Sequence, residues 1–192
     1  MCAALAALLL CSLTACGKTE EPARQDIFAM DTYMSLVAYG EDGQEALAAA
    51  AREINRLEQE LSRTVSTSYI YKLNENGSAA VSEETANLLK NAMDYSAATG
   101  GLFDVTVAPL VSLWGITTDS PRVPSRSEID ALLPLVGSGH VHLDGQTVTL
   151  DAGCAVDLGG IAKGYASDRV AQVLKQYAVT GAAVSLGGNV YV

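Results

Sequence analysis

Val156-Asp157-Leu158-Gly159-Gly160-Ile161-Ala162-Lys163-Gly164-Tyr165 is the stretch on which the reading of this chain turns. From Ile161 onward, apolar residues recur at Ala162, Tyr165, Ala166, Val170, Val173, Leu174 and Tyr177. Steps of three and four residues make one face of a helix. Gly159 and Gly160 then stand at the helix entrance, where unpaired N–H groups and the positive dipole end favour an anion. Glycine lets a phosphate come close to the backbone, and Lys163 adds a mobile positive charge in the first turn. Asp157 is the odd member, because a carboxylate repels phosphate. It makes sense if it binds a ligand hydroxyl or base edge, or helps to hold a divalent cation. The plain alternative is a helix entered through a Gly-Gly turn with a solvent-facing lysine. Neither GxxxxGK[ST] nor GxGxxG is present in this stretch.

The surrounding chain limits what such a mouth can serve. Its 192 residues suffice for one domain with a substantial core, or for part of a larger one. Hydrophobic residues make up 49% and charged residues 18%, which excludes wholesale disorder. The net charge is −10 and no basic run exists, so nucleic acid is not an expected partner. In that field an anionic ligand needs a local positive site or a bridging metal. Cys2, Cys11 and Cys16 fall near the N-terminus and Cys154 stands alone, so neither a disulfide framework nor a CxxC pair is expected. Cys154 reads as a buried packing residue.

Residues 1–15 carry no charge, and their apolar run is too short to span a membrane. They read as a signal peptide, and Leu13-Thr14-Ala15-Cys16 resembles a bacterial lipoprotein processing box, with acylation expected at Cys16. The usual basic n-region is missing. Residues 16–26 read as a flexible tether, and 27–192 as the folded part. A strand is expected over 27–39, irregular at Met30-Asp31. Helices follow over 43–61, 68–74, 82–98 and about ten residues capped by Ser127. A hairpin spans 141–143 and 147–150 across Asp144-Gly145. Beyond the central helix come a strand over 182–186, a Gly187-Gly188 break, and the start of another strand. A chain that stops inside a strand reads as a fragment, since it leaves an edge unpaired. His140 and His142 read as an exposed edge rather than as metal ligands. The irregular alternation of helices and strands predicts an α+β fold, a mixed sheet with packed helices.

Six separated segments together resemble one family. They are Met30-Asp31-Thr32; Leu61-Ser62 with Ile70-Tyr71-Lys72-Leu73-Asn74; the run from Thr99-Gly100-Gly101-Leu102-Phe103-Asp104 to Pro109-Leu110; Leu113-Trp114-Gly115; 156–168; and Ser185-Leu186-Gly187-Gly188-Asn189. In this order they are similar to the bacterial FAD:protein FMN transferases, the ApbE-like lipoproteins. The resemblance implies FAD as substrate, Mg²⁺, and transfer of FMN to a threonine or serine hydroxyl of an acceptor protein, leaving a phosphodiester and releasing AMP. It implies that Met30, Leu102, Phe103, Asp104, Asp157 and Lys163 contact FAD, and that the Gly160 carbonyl meets the metal. It also implies an exported protein, lipid-anchored to the cell membrane and facing the periplasm or cell exterior.

Two departures from the family pattern stand out. Thr64 occupies the place of a family tyrosine, so no ring can stack from there. The later His-containing and Asp-Ala-x-x-Thr-like segments, which supply metal-binding side chains, do not occur in these 192 residues. Weak or no activity is therefore expected of them alone. Each residue also has a plainer role open to it: Met30, Phe103 and Trp114 as core, Asp104 as a helix cap, Gly187-Gly188 as a turn. An Mg²⁺-dependent FAD pyrophosphatase and a non-catalytic FAD-binding lipoprotein are the alternative functions.

Overall fold

A two-residue turn at Met30-Asp31 sets the first sheet. The computed structural model describes residues 21–116 and 118–192. In it the expected single strand is a hairpin, β1 (Ala23–Ala29) and β2 (Thr32–Tyr39), antiparallel from Ala29↔Thr32 to Ala23↔Ala38. Met30 and Asp31 have φ of 50° and 56°. Such turns favour Asn-Gly, so Met-Asp hides the reversal from a sequence reading. The tether also ends earlier than expected, because Ala23 to Asp26 already belong to β1. Arg24 and Asp26 sit on its wet face, and that alternation reads as polar linker. The expected signal peptide and Cys16 lie outside the described residues.

Helix α1 (Gly43–Leu61) buries Ala46, Leu47, Ala50, Ile54, Leu57 and Leu61, as its periodicity predicts. Helix α2 (Tyr69–Asn76) is capped by the Ser68 hydroxyl and ends at left-handed Gly77. Strand β3 (Ser78–Ala80) leads to α3 (Glu83–Ala98), capped by Ser82. Helix α4 (Ala108–Trp114) follows a short 3-10 turn, Val105–Val107.

Helix α5 (Arg126–Leu132) is capped by Ser125, not Ser127, and is shorter than expected. Ser125 and Glu128 form a reciprocal capping box, while Asp130, the residue Ser127 would need, pairs with Arg126. Pro134 then prevents the helix from continuing.

Strands β4 (Val141–Asp144) and β5 (Thr147–Leu150) make the expected hairpin, and β3 joins it in the order β3-β5-β4. Helix α6 (Ala162–Leu174) carries the central stretch. Strands β6 (Gly181–Leu186) and β7 (Asn189–Tyr191) complete the first sheet, ordered β1-β2-β6-β7. The α+β class stands, but among the described residues there are two sheets, and every strand pairing is antiparallel rather than mixed. One continuous core joins them, with Leu36, Leu47, Ile54, Leu89, Val148, Val170 and Val184 inside it. Cys154 is buried there too, and desolvation pushes its thiol above the usual range.

A charged network ties α6 to α1 and α3. Arg56 meets Glu53, Glu60 and Glu84 at 2.8, 2.7 and 2.9 Å. Arg169 donates to Glu53 at 3.0 Å, and the Tyr165 hydroxyl donates to Glu84 at 2.6 Å. The Arg56 guanidinium, with help from Arg169, holds the Glu53 carboxyl down at about 2. A depressed carboxyl contributes stability that is complete above its unfolded value and lost as pH falls through its folded value. The urea midpoint is therefore expected to fall between about pH 4.5 and pH 2. Glu53→Gln is expected to flatten that part of the profile, and an unchanged slope would show that this network does not carry the acid sensitivity.

Candidate functional site

The residues at the mouth of α6 are fixed from outside the helix. Asn74 on α2 donates its amide N–H to the Val156 carbonyl and accepts the Val156 N–H, both at 2.8 Å. The Asp157 N–H donates to the Val105 carbonyl at 2.7 Å. The chain then turns through residues 159–161 into Ala162. Here the turn differs from the simplest anion cradle. One Asp157 carboxylate oxygen accepts the Gly159 N–H at 2.8 Å, so the aspartate itself occupies a donor at the entrance. The other takes the Arg63 Nε–H at 2.8 Å.

A cleft of about 550 Å³ opens in front of this turn. Its wall includes Met30, Leu102, Phe103, Asp104, Asp157, Gly160 and Lys163, all seven residues that the resemblance implies. They come from separate parts of the chain. Met30 arrives on the β1–β2 turn, in its left-handed conformation, with its N–H donated to Glu58 at 2.8 Å. A non-glycine residue held there is strained, and such strain gathers at functional sites. Leu102 and Phe103 follow left-handed Gly100 and Gly101 at the end of α3; Leu102 is 93% exposed. Phe103 lies against Gly160, where a Cβ would come within 3.1 Å of the ring, so a larger residue here would require the ring to shift by a few tenths of an ångström. The ring also meets Tyr95 edge-on at 6.4 Å. Phe103 and Gly160 form a wall shared with a second cavity of about 570 Å³.

Asp104 takes the plainer role as well as its place in the cleft. One oxygen accepts the Thr106 N–H at 2.8 Å and its hydroxyl at 2.6 Å; the other accepts the Ser96 hydroxyl at 3.0 Å. Lys163 is half-buried, its Nζ 3.4 Å from the Gly159 carbonyl. Among the described residues it pairs with no carboxylate. Gly187-Gly188 is the β6–β7 turn, with φ of 57° and 95°, and Gly187 packs on Thr32 and the Lys163 stem. Thr64 lines the cleft and hydrogen-bonds to Ser62. Arg63, Glu58 and Asn74 were assigned no role from sequence. Their partners are distant along the chain; Asn74 lies within a segment that carries the resemblance, but spacing gives no sign of what it contacts.

Away from the cleft, His140 and His142 each contact one oxygen of Asp151, at 2.9 and 2.8 Å. Hydrogen bonds from His140 and then His142 hold that carboxyl below its usual range. Among the described residues, no three His, Cys, Asp or Glu side chains come together as a metal site. The described side chains therefore form no dedicated magnesium cage.

A family model, the ApbE family, matches residues 30–192, from the strained turn to the last strand. The chain belongs to the ApbE family. It is 32% identical to the FAD:protein FMN transferase of Vibrio cholerae, over 97% of this chain and 58% of that protein. It is 29% identical to the FAD:protein FMN transferase of Treponema pallidum, over 95% of this chain and 55% of the relative. The crystal structure of the ApbE protein of Thermotoga maritima superposes with a TM-score of 0.82 at 34% identity, covering 88% of this chain and 58% of that one. The chain thus spans somewhat over half the length of the ApbE relatives it matches.

Proposed function

We propose that this ApbE-family protein takes FAD into the cleft before α6 and passes its FMN part to a threonine or serine hydroxyl of an acceptor protein. The hydroxyl oxygen forms a bond to the FMN phosphorus and gives up its proton to solvent, the pyrophosphate bond to AMP breaks, and AMP leaves. One observation carries the reading: seven residues scattered from Met30 to Lys163 line a single cleft at a helix mouth. Phosphoryl transfer asks mainly for positioning and charge neutralisation. Lys163 supplies a cation beside the diphosphate, and the Gly160 turn lets it approach. Phe103 and Met30 offer apolar surface to the ring system, and Asp157 and Asp104 offer acceptors to its polar edges. Mg²⁺ would be held by the Gly160 carbonyl and the ligand's own phosphate oxygens, where it neutralises charge.

The test is incubation of the protein with FAD, Mg²⁺ and a partner bearing an acceptor threonine. FMN fluorescence fixed to the partner is the expected result. Free FMN and AMP without labelling would indicate a pyrophosphatase, and retained intact FAD a binding protein. We further propose export and anchoring through an acylated Cys16. Among the described residues, no helix is long and apolar enough to cross a membrane. Cys16→Ser is expected to move the protein from the membrane to the soluble fraction; continued sedimentation with membranes would contradict the anchor.

A further inference from the structure

The helix mouth has an electrostatic problem. The cleft wall carries Asp31, Glu58, Asp104 and Asp157 against Arg63 and Lys163. Asp157 lies nearest the Gly159 turn, with an oxygen on its N–H, and an uncompensated carboxylate there repels a diphosphate. Arg63 answers it. Its Nε–H reaches Asp157 at 2.8 Å, with the two side chains only 19% and 18% exposed. A second guanidinium nitrogen donates to the carbonyl of Ile116, another residue of the cleft wall, at 3.3 Å.

We infer that Arg63 is a positioning residue for the ligand's diphosphate: it neutralises Asp157 and holds it in the Gly159 turn, making the mouth of α6 tolerant of an anion. This rests on the proposed binding of FAD. The planar guanidinium can serve Asp157 and Ile116 at once, which an ammonium cannot do as well. The partial burial keeps the pair from being screened as a surface ion pair would be. Arg63 acts through Asp157, while Lys163 is the cation that meets the ligand.

The test is a cycle of Arg63→Gln, Asp157→Asn and the double variant, read by FAD titration at two salt concentrations. Arg63→Gln is expected to weaken FAD binding by about 10-fold, and less at high salt. In the Asp157→Asn background the same change is expected to cost less than about 2-fold, since the carboxylate that Arg63 pairs with is gone. Arg63→Lys, which keeps the charge but loses the fork, should recover only part of the affinity. Equal losses in both backgrounds, or no loss in the parent background, would overturn the inference. Should Arg63→Gln alone fail to fold, the double variant must still fold and bind as Asp157→Asn does, or the inference fails. A parent protein that does not bind FAD overturns the proposed function and this inference with it; a parent that binds, without coupling between the two residues, overturns only the inference.

Discussion

Lys163→Ala is expected to lower FAD affinity by about 10- to 100-fold while helix α6 stays folded, the size of a charge-assisted contact to phosphate. Lys163 lies in the first turn of α6, half-buried, with its stem against the β6–β7 turn and its Nζ at the Gly159 carbonyl. Among the described residues no carboxylate claims it, so its charge remains available in a cleft whose wall is otherwise acidic. Alanine has the highest helix propensity, and the helix is held by Ala166, Val170 and Leu174 in the core. Fluorescence titration with FAD measures the loss, and far-UV circular dichroism checks the helix. Wild-type affinity in the variant would strip Lys163 of its role.

Asn74→Ala is the second large effect, expected at about 2–4 kcal/mol of stability, because it strands two backbone groups at once. Val156 is fully buried, and both its N–H and its carbonyl are paired with the Asn74 amide. Alanine satisfies neither. For a chain of this length the loss corresponds to a melting-point drop of roughly 4–16 °C. The variant should also bind FAD less tightly, since Val156 anchors the segment that presents Asp157 and Gly159. Melting unchanged within a degree would mean that the segment is held by other contacts.

Much of this was legible in the residues themselves. The faces of α1 and α6, the Ser82 cap and the Asp144-Gly145 hairpin depend on neighbours within a few positions, and local periodicity exposes them. Residue spacing marks Met30-Asp31 as an irregularity within one strand and not as a reversal, because its conformation runs against the preference of its residues, and something distant, the Glu58 carboxylate, holds it. Ser125 displaced Ser127 as a cap through a choice between two serines that only side-chain geometry makes.

By itself the sequence determined the secondary-structure grammar, the α+β class and the glycine-entered helix with its lysine, because those follow from short-range spacing and the chemistry of single side chains. Tertiary structure alone decided that Asp157 is spent on Gly159 and Arg63, and that Asn74 clamps Val156 from 82 residues away. Those contacts join residues whose only relation is their meeting in space, and no period along a chain encodes such a meeting.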